Sequence, residues 1–366
     1  MRVVIRADAA SHIGVGHVMR CLTLANGLRG KGAKVSFVCR PFSGHMGKRI
    51  SSEGHLLQML PQATRTIKSE SDRLNAPPHA NWLGESWETD FAQTNAVLGE
   101  QFFDWLVVDH YSLDSRWESA MRKFSHKIMV IDDLADRMHD CDLLLDQTFG
   151  RGEEEYTNRV PKNCVLLTGS DYALLDPEFS KLREFSLIRR NSSKIEHLLI
   201  SMGGIDQSNA TGKVLESLRY SSLPNNCRIT IVIGDAAPSL DNIQLQVEGL
   251  TWPTELKVNV TNMAQLMTSS DLAIGTAGST AWERCCLGLP SIVVVLADNQ
   301  RKIGHVLEQE RAVILIKEIS DVEKAIRLLC ESGDKLNDLS QASRKITDGT
   351  GVEKVVLYME KLCVGK

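Results

Sequence analysis

The chain has 366 residues, of which 43% are hydrophobic and 24% are charged, and its formal net charge is -4. This composition is that of a globular protein with apolar cores, the length suits two domains, and the net charge excludes a broad basic surface for nucleic acid or anionic lipid. The nine cysteines include no C-x-x-C pair, which argues against a disulfide framework or a zinc site and favours a reducing, cytoplasmic setting.

The beginning of the chain predicts a β-strand, a helix and a second β-strand. Residues 2–8 are a mostly apolar run rich in β-branched residues, and Arg6 interrupts this run too early for a signal peptide. Apolar residues then recur at helical spacing over residues 16–29, and residues 34–39 are predicted to form the next strand. Such βαβ units build parallel sheets.

A polar, proline-containing stretch over residues 70–90 interrupts this pattern and predicts a long surface excursion, in which Trp82 and Trp87 receive no role. The longest apolar run, residues 285–297, contains Pro290 and is too short to span a bilayer, so we expect no membrane insertion. Further strands are predicted where apolar runs suit burial on both faces. They are residues 104–109, 127–131, 142–145, 165–168, 197–202, 228–233, 255–260, 271–274 and 291–295.

The charged segment between Asp176 and Lys194 predicts the linker between two domains, because the strand pattern stops there and resumes afterwards. The predicted domains are residues 1–178 and residues 179–366. The expected fold class is therefore α/β, with two Rossmann-like domains that face each other across a cleft. Ligands of open parallel sheets bind at the carboxyl ends of the strands, so the turns at those ends are candidates for the functional site.

Gly203 and Gly204 follow the strand over residues 197–202 and precede a helix. Glycine allows backbone N–H groups to approach an anion closely, and a helix N-terminus adds partial positive charge, so this turn is a candidate phosphate site. A simple connecting turn is the alternative. The chain lacks G-x-x-x-x-G-K-[ST], which excludes a P-loop nucleoside triphosphatase. It also lacks G-x-G-x-x-G, so NAD is not favoured.

Gly278 and Ser279 repeat this arrangement after another strand. Glu283 lies four residues after Ser279 on the same helical face, where a carboxylate can accept both hydroxyls of a ribose whose phosphates bind at the helix N-terminus. The alternative is a surface glutamate paired with Arg284 or Arg301. Because two such turns occur in one domain, the sequence favours a nucleotide.

Two further loops of the second domain carry groups suited to a nucleoside and a sugar. Asn262, Met263 and Ala264 form a turn after a strand, and backbone groups in such a turn can pair with the edge of a base. Helix capping explains Asn262 equally well. Asn299 and Gln300 close the loop after the last predicted strand, and their amides can hydrogen-bond a sugar.

His17 stands at the start of the first helix, beside Gly14 and Gly16. The positive end of the helix dipole disfavours an imidazolium ion there, and a neutral imidazole can accept a proton as a general base does. A capping or packed histidine is the alternative. The two glycines, at the edge of the sheet where ligands bind, favour a catalytic base.

Residues at the ends of two strands of the first domain are candidates for its share of the site. Asp109 and Tyr111 follow one strand and are candidates for the sugar side, and Asp132 and Asp133 follow the next strand. Adjacent aspartates suggest a metal, but no cluster with ligand spacing accompanies them, and such pairs also cap loops. We therefore predict neither a metal nor a cofactor. The chain also contains no G-x-S-x-G elbow, the motif that would present a nucleophilic serine.

These segments together resemble the UDP-sugar hydrolase family of pseudaminic acid biosynthesis. That family is in turn similar to the glycosyltransferases of GT-B fold, which include the enzyme that adds N-acetylglucosamine to lipid-linked peptidoglycan precursors. The resemblance therefore implies a GT-B fold with UDP held mainly by the C-terminal domain. The segments that carry it lie within residues 1–305 and are GVGHVMRCLTLA, DHYSLDSRW, IDDLADRMHDCDLLLDQT, YALLDPEF, SMGGIDQSNAT and NMAQLMTSSDLAIGTAGSTAWERCCLGLPSIVVVLADNQ.

The resemblance implies hydrolysis of UDP-2,4-diacetamido-2,4,6-trideoxy-β-L-altropyranose to UDP and the free sugar, by attack of water at C1 with inversion and without a metal. It implies that His17 is the base. It also implies a sugar-facing loop at Asn299 and Gln300. The positions that match the UDP-binding segments of the family are Gly203, Gly204, Met263, Gly278, Ser279 and Glu283.

Three other functions use the same predicted UDP site. They are a glycosyltransferase with a sugar or lipid acceptor, an epimerase that eliminates and re-adds UDP, and a UDP-sugar sensor without catalysis. The glycines and Glu283 do not separate these functions. His17 and the family resemblance favour the hydrolase, and the sequence singles out no protein partner.

Overall fold

The computed structural model describes residues 1–63, 77–190 and 194–364. The strands are β1 Arg2–Ala7, β2 Lys34–Cys39, β3 Leu56–Met59, β4 Phe103–Asp109, β5 Ser125–Ile131, β6 Leu143–Asp146, β7 Val165–Thr168, β8 His197–Ser201, β9 Arg228–Ile233, β10 Thr254–Val258, β11 Leu272–Thr276, β12 Ser291–Val294 and β13 Ile314–Ile316. The helices are α1 Gly16–Gly30, α2 Gly47–Ser52, α3 Trp87–Leu98, α4 Ser115–Met121, α5 Pro177–Arg189, α6 Ala210–Leu218, α7 Leu240–Glu248, α8 Met263–Ser269, α9 Thr280–Cys286, α10 Arg301–Gln309, α11 Val322–Glu331, α12 Gly333–Ser343 and α13 Gly351–Val364.

The first of two compact units contains Met1–Leu174 together with Gly351–Lys366. Its sheet has seven parallel strands in the order β3-β2-β1-β4-β5-β6-β7. Alternate residues of β1 enter different cores, because Val3 and Ile5 pack in one apolar cluster and Val4 packs in another. The strand order reverses between β1 and β4, and such a switch point opens a crevice at the carboxyl ends of the two strands.

The second unit contains Leu175–Thr350 and repeats this plan. Its sheet has six parallel strands in the order β10-β9-β8-β11-β12-β13. The order reverses between β8 and β11, where Ser201 pairs with Gly275. The turns that follow these two strands therefore lie side by side at the switch point of the second sheet.

The last helix belongs to the first unit, whereas the predicted boundaries 1–178 and 179–366 assigned it to the second domain. Val352 and Val355 of α13 are buried in the same apolar cluster as α1. The indole N–H of Trp105 in β4 also lies 2.9 Å from the Sγ atom of Cys363. The difference has a physical reason: an apolar helical stripe packs on whichever core leaves room for it, and local sequence does not identify that core.

The charged residues that interrupt the first strand are buried and paired rather than exposed. Arg6 lies 2.7 Å from Asp8 and 2.8 Å from Asp90 of α3, and none of these three side chains is accessible to solvent. Arg40, at the end of β2, bonds to the same oxygen of Asp90 at 2.7 Å. A buried charge is tolerated only when it is paired in this way, so the network joins β1, β2 and α3 inside the first unit.

All of the predicted strands are present, and their ends move by at most two residues. The pattern missed β3 and β13, which are short edge strands with partly exposed side chains. Within the described residues, none of the helices combines the length and the apolar character that crossing a membrane requires.

The predicted surface excursion and the predicted domain linker both contain helices where the structure describes them. Residues 70–76 of the predicted excursion lie outside the described residues, but Ala80–Leu83 forms a 3-10 helix and α3 begins at Trp87. The predicted linker contains α5, whose first turn is capped by Asp176, and residues 191–193 lie outside the described residues. Propensity alone underestimates such helices, because side-chain caps and packing stabilise them.

Candidate active site

His17 lies at the switch point of the first sheet. The loop between β1 and α1 turns sharply at Gly14, whose φ of +88° favours glycine and whose N–H donates to the carbonyl of Ala10 at 2.8 Å. Helix α1 then begins at Gly16, so the imidazole of His17 projects beside the end of β4. Its Nδ1 lies 3.3 Å from the main-chain carbonyl oxygen of Asp109 and 3.4 Å from its carboxylate.

This contact fixes the state of the imidazole. The carbonyl and carboxylate oxygens of Asp109 can only accept hydrogen bonds, so Nδ1 carries the proton and Nε2 is the acceptor. Within the described part of the chain, Nε2 has no hydrogen-bond partner. Burial lowers the pKa of His17, and although Asp109 acts in the opposite direction, the ring is neutral at pH 7. The sequence predicted a neutral imidazole from the helix dipole, and burial is the larger cause.

The carboxylate of Asp109 forms an ion pair with Arg20, which lies one turn after His17 on α1. The guanidinium donates from Nε to one carboxylate oxygen at 2.6 Å and from Nη2 to the other at 2.7 Å, and the carboxylate is fully buried. The third nitrogen of Arg20 donates to Asp133 at 2.7 Å. Both carboxylate oxygens of Asp109 are therefore already bonded inside the protein, and its place on the sugar side stays a prediction.

An aromatic wall stands beside His17. The ring of Tyr111 meets the imidazole edge-on with centroids 4.4 Å apart, and its hydroxyl donates to Asp133 at 2.5 Å. Trp82 stacks on Tyr111 with centroids 5.6 Å apart and is only half-buried. His79 packs against the indole with centroids 4.5 Å apart. The sequence alone predicts no role for Trp82, because its position after two prolines in a polar stretch offers no periodic signal.

The adjacent aspartates at the end of β5 have separate structural roles. Asp132 accepts from Arg137 at 2.8 Å and caps the following turn through the N–H of Ala135 at 3.0 Å. Asp133 accepts from Arg20 and Tyr111. Burial alone would raise the pKa of Asp133, but Arg20 and Tyr111 with the neighbouring His17 together outweigh burial and lower this pKa. No group of three or more metal-ligating side chains with suitable geometry occurs among the described residues. Asp132 therefore caps a loop, which is the alternative to a metal ligand that adjacent aspartates also suggest.

The glycine turn after β8 offers backbone but no free helix N-terminus. Gly203 has a φ of +110°, and the carbonyl of Gly204 accepts from Gly234 at 2.9 Å. Asp206 accepts from the first two N–H groups of α6, at 2.7 and 2.8 Å. Asn209 caps the third at 3.2 Å. A carboxylate already occupies the helix start, so only the glycine backbone remains for a phosphate.

The turn after β11 is open by comparison. Among the described residues, the backbone N–H groups of Gly278, Ser279 and Thr280 have no acceptor. Consecutive N–H groups of this kind form a concavity that suits an anion. Because β8 and β11 are neighbours, this turn and the turn at Gly203 lie at the same point of the sheet edge.

Glu283 is half-buried, and burial raises its pKa to about 7. The proposed surface pairing with an arginine is absent, since Arg284 donates to the carbonyl of Thr276 at 2.7 Å and Arg301 donates to Asp298 at 2.8 Å. Within the part of the chain that the structure describes, the carboxylate has no hydrogen-bond partner. It is therefore available to a ligand bound at the turn after β11.

The remaining candidates lie on two turns of the second unit, and among them Ala264 is buried. Asn262 precedes α8, but its side chain makes no capping hydrogen bond, so capping does not explain it. Met263 and Ala264 form the first turn of that helix. Gln300 accepts from the N–H of Leu296 at 3.0 Å and closes its loop, while the side chain of Asn299 is exposed.

Comparison with known proteins identifies the relatives of these two units. Residues 202–353 match the glycosyltransferase family 28 C-terminal domain. Over 325 residues the chain is 27% identical to the UDP-2,4-diacetamido-2,4,6-trideoxy-beta-L-altropyranose hydrolase of Campylobacter jejuni, and the match covers 88% of this chain and 99% of the relative. The predicted family resemblance is confirmed.

Solved structures with the same architecture include nucleotide-sugar enzymes. MurG of Acinetobacter baumannii superposes with a TM-score of 0.67 at 15% identity, over 98% of this chain and 99% of that chain. UDP-GlcNAc 2-epimerase from Neisseria meningitidis, solved with UDP-GlcNAc bound, superposes with a TM-score of 0.60 at 13% identity, over 99% and 100%. At these identities the similarity concerns the fold, and it confirms the predicted GT-B architecture of two Rossmann-like domains.

Proposed function

We propose that the chain hydrolyses UDP-2,4-diacetamido-2,4,6-trideoxy-β-L-altropyranose to UDP and the free sugar, in the biosynthesis of pseudaminic acid. The observation that carries this proposal is the neutral imidazole of His17, whose Nδ1 is anchored to Asp109 and whose Nε2 is free to accept a proton. A UDP-sugar hydrolase needs such a base for water and needs no acceptor substrate. The 27% identity to the Campylobacter jejuni hydrolase supports this substrate.

In the proposed reaction, a water molecule attacks C1 of the sugar as Nε2 of His17 removes its proton. The C1–O bond breaks, its electron pair leaves on the diphosphate of UDP, and the configuration at C1 inverts. A diphosphate is a weakly basic leaving group, so no strong general acid is needed. The N–H groups of Gly278, Ser279 and Thr280 would bind the charge that develops on it, and Glu283 would accept the ribose hydroxyls.

Two supplementary assignments belong to the same proposal. The reaction runs without a metal ion, because base catalysis and backbone N–H groups supply the two functions that a metal would serve. It takes place in the cytoplasm, and the nine cysteines of the chain, which include no C-x-x-C pair, suit that reducing compartment.

Incubation with the UDP-sugar alone in oxygen-18-labelled water tests the proposal. Equal amounts of UDP and free sugar, with the label on the sugar and inverted configuration at C1 by NMR, are expected. Label on UDP would contradict cleavage of the C–O bond. A requirement for an acceptor would show a glycosyltransferase, and deuterium at C2 after a parallel incubation in deuterated water would show an epimerase. Binding without turnover would show a sensor.

A further inference from the structure

Arg20 holds together the residues that surround the imidazole of His17. It is buried, and it contacts Asp109 with two nitrogens at 2.6 and 2.7 Å and Asp133 with the third at 2.7 Å. These two aspartates end different strands, since Asp109 is the last residue of β4 and Asp133 follows β5. One side chain of α1 therefore fixes both strand ends beside the imidazole.

The charged and titratable groups around His17 come from three elements. The pair of carboxylates would favour an imidazolium ion in this buried site, because an opposite charge at such distances stabilises the charged form. Arg20 opposes them, and burial opposes them further. The groups that face the imidazole are Arg20 from α1, Asp109, His110 and Tyr111 from the end of β4, and Asp133 from the end of β5.

We propose that Arg20 is a positioning residue that keeps His17 neutral, by neutralising both carboxylates that flank the imidazole and by fixing the Asp109 carbonyl that accepts from Nδ1. The catalytic consequence rests on the proposed function, in which Nε2 of His17 takes a proton from water. The electrostatic effect on His17 does not rest on it, because it follows from the contacts of Arg20 alone.

Loss of Arg20 has two consequences that differ in their pH dependence. Two buried carboxylates without a counter-ion stabilise the protonated form of His17. The imidazole is then protonated at neutral pH and cannot act as a base, and it becomes neutral again only at higher pH. A misplaced Asp109 carbonyl, by contrast, lowers activity at every pH. The acid limb of the pH profile of kcat/KM therefore separates a charge effect from a general loss of structure, because this limb reports the ionisation of the free enzyme.

Arg20→Met tests the proposal. The acid limb of the kcat/KM profile is expected to move up by about one to two pH units, so that turnover at pH 7 falls roughly tenfold or more and recovers at higher pH. The double variant Arg20→Met with Asp109→Asn removes one of the two buried charges that Arg20→Met leaves without a counter-ion, and it is expected to return the limb toward its original position. An unmoved limb in Arg20→Met would overturn the proposal.

Arg122→Met is the matched control. Arg122 also clamps two carboxylates, bonding to Asp140 at 2.6 Å and to Asp142 at 2.7 Å, but these lie before the first residue of β6 rather than beside His17. The acid limb of the kcat/KM profile of Arg122→Met is expected to stay in place. A shift equal to that of Arg20→Met would show that loss of any such clamp has this effect, and would also overturn the proposal.

An NMR titration of the His17 imidazole keeps the test independent of turnover. The resonance is assigned by its absence in His17→Asn, and its midpoint is expected to rise in Arg20→Met and to stay close to the original in Arg20→Lys, which keeps the charge. An unchanged midpoint in Arg20→Met overturns the inference whatever reaction the protein catalyses. A raised midpoint in a protein that does not hydrolyse the UDP-sugar upholds it, and the proposed function alone fails.

Discussion

The Nδ1 atom of His17 and the main-chain carbonyl oxygen of Asp109 lie 3.3 Å apart, although 92 positions separate the two residues in the sequence. They meet because β1 and β4 are neighbours in the sheet, with Ala7 paired to Asp109. The same contact selects the tautomer and leaves Nε2 as the acceptor. The first prediction concerns that nitrogen.

His17→Asn removes the proposed base without adding bulk. Turnover of the UDP-sugar is expected to fall by about 100- to 10,000-fold, which is the usual contribution of a positioned general base. Affinity for UDP, measured by calorimetry, is expected to stay unchanged because the candidate UDP residues belong to the second unit. His126→Asn is the control, since His126 is exposed at the start of β5 and packs on Phe102. Near-original turnover in His17→Asn would remove His17 from the mechanism.

Glu283 is expected to make UDP binding sensitive to pH near neutrality. Burial raises its pKa to about 7, so the carboxylate is protonated as the pH falls from 8 to 6 and accepts hydroxyl hydrogen bonds less well. The affinity for UDP is expected to fall over this range, and Glu283→Gln is expected to bind roughly 10- to 100-fold more weakly at pH 8.

The comparison between the two proteins isolates the contribution of Glu283, because the phosphates of UDP titrate identically in both. Calorimetry at both pH values is the measurement, with Glu248→Gln as a surface control at the end of α7. If the ratio of the UDP affinities of the original protein and Glu283→Gln did not change with pH, Glu283 would not bind the ribose.

His139 is expected to make the first unit less stable at alkaline pH. Burial alone would lower the pKa of His139, but Glu118 and Asp132 outweigh burial and raise it to about 9. A pKa raised on folding stabilises the native state below the unfolded value of 6.5, and this contribution is lost as the pH rises through about 9. Urea unfolding midpoints between pH 6 and pH 10 measure the loss.

His139→Gln is expected to lower the free energy of unfolding by about 3 to 5 kcal/mol at pH 6, because it leaves the buried carboxylate of Glu118 without a counter-charge, whereas Asp132 keeps its ion pair with Arg137. The variant should also lose most of the pH dependence over that window. His126→Gln, on the surface of the same unit, is expected to keep it. Equal pH dependence in His139→Gln and the original protein would contradict this account.

Gly27→Ala tests the packing of the last helix. Alanine is the better helix former by about 1 kcal/mol, but a Cβ atom at Gly27 would lie 2.5 Å from Cγ1 of Val352. Overpacking at such a contact costs about 1 to 3 kcal/mol, so the variant is expected to be less stable in thermal unfolding. Gly30→Ala meets no atom within 4 Å and is expected to be neutral or stabilising. If Gly27→Ala were instead more stable than the original protein, α13 would not pack against α1 at this position.

The alternation of strands and helices was predictable because it depends on local patterns. The long apolar runs at β1, β4 and β8 mark buried strands, and the glycines after β1 and β8 mark the turns. The docking of α13 was not predictable, since its apolar stripe suits either core and only the folded chain selects one.

The chemistry of the site was predictable in part for a similar reason. Position at a strand end predicted that His17 and Asp109 would share one edge of a sheet. The bonding of Asp109 was not predictable, because Arg20, a residue of the first predicted helix outside its apolar stripe, turns inward and donates to both carboxylate oxygens. Trp82 was missed because a 3-10 helix of four residues leaves no periodicity to detect.

The position of α13 also constrains the order of events during synthesis. Val352, Val355 and Met359 complete the apolar cluster around α1, yet they are translated after the whole of the second unit. On the ribosome, the unit that is made first therefore waits with one side of its interior uncovered, and the unit that is made second can close before it. We expect a nascent chain stalled before Gly351 to recruit chaperones through that uncovered side.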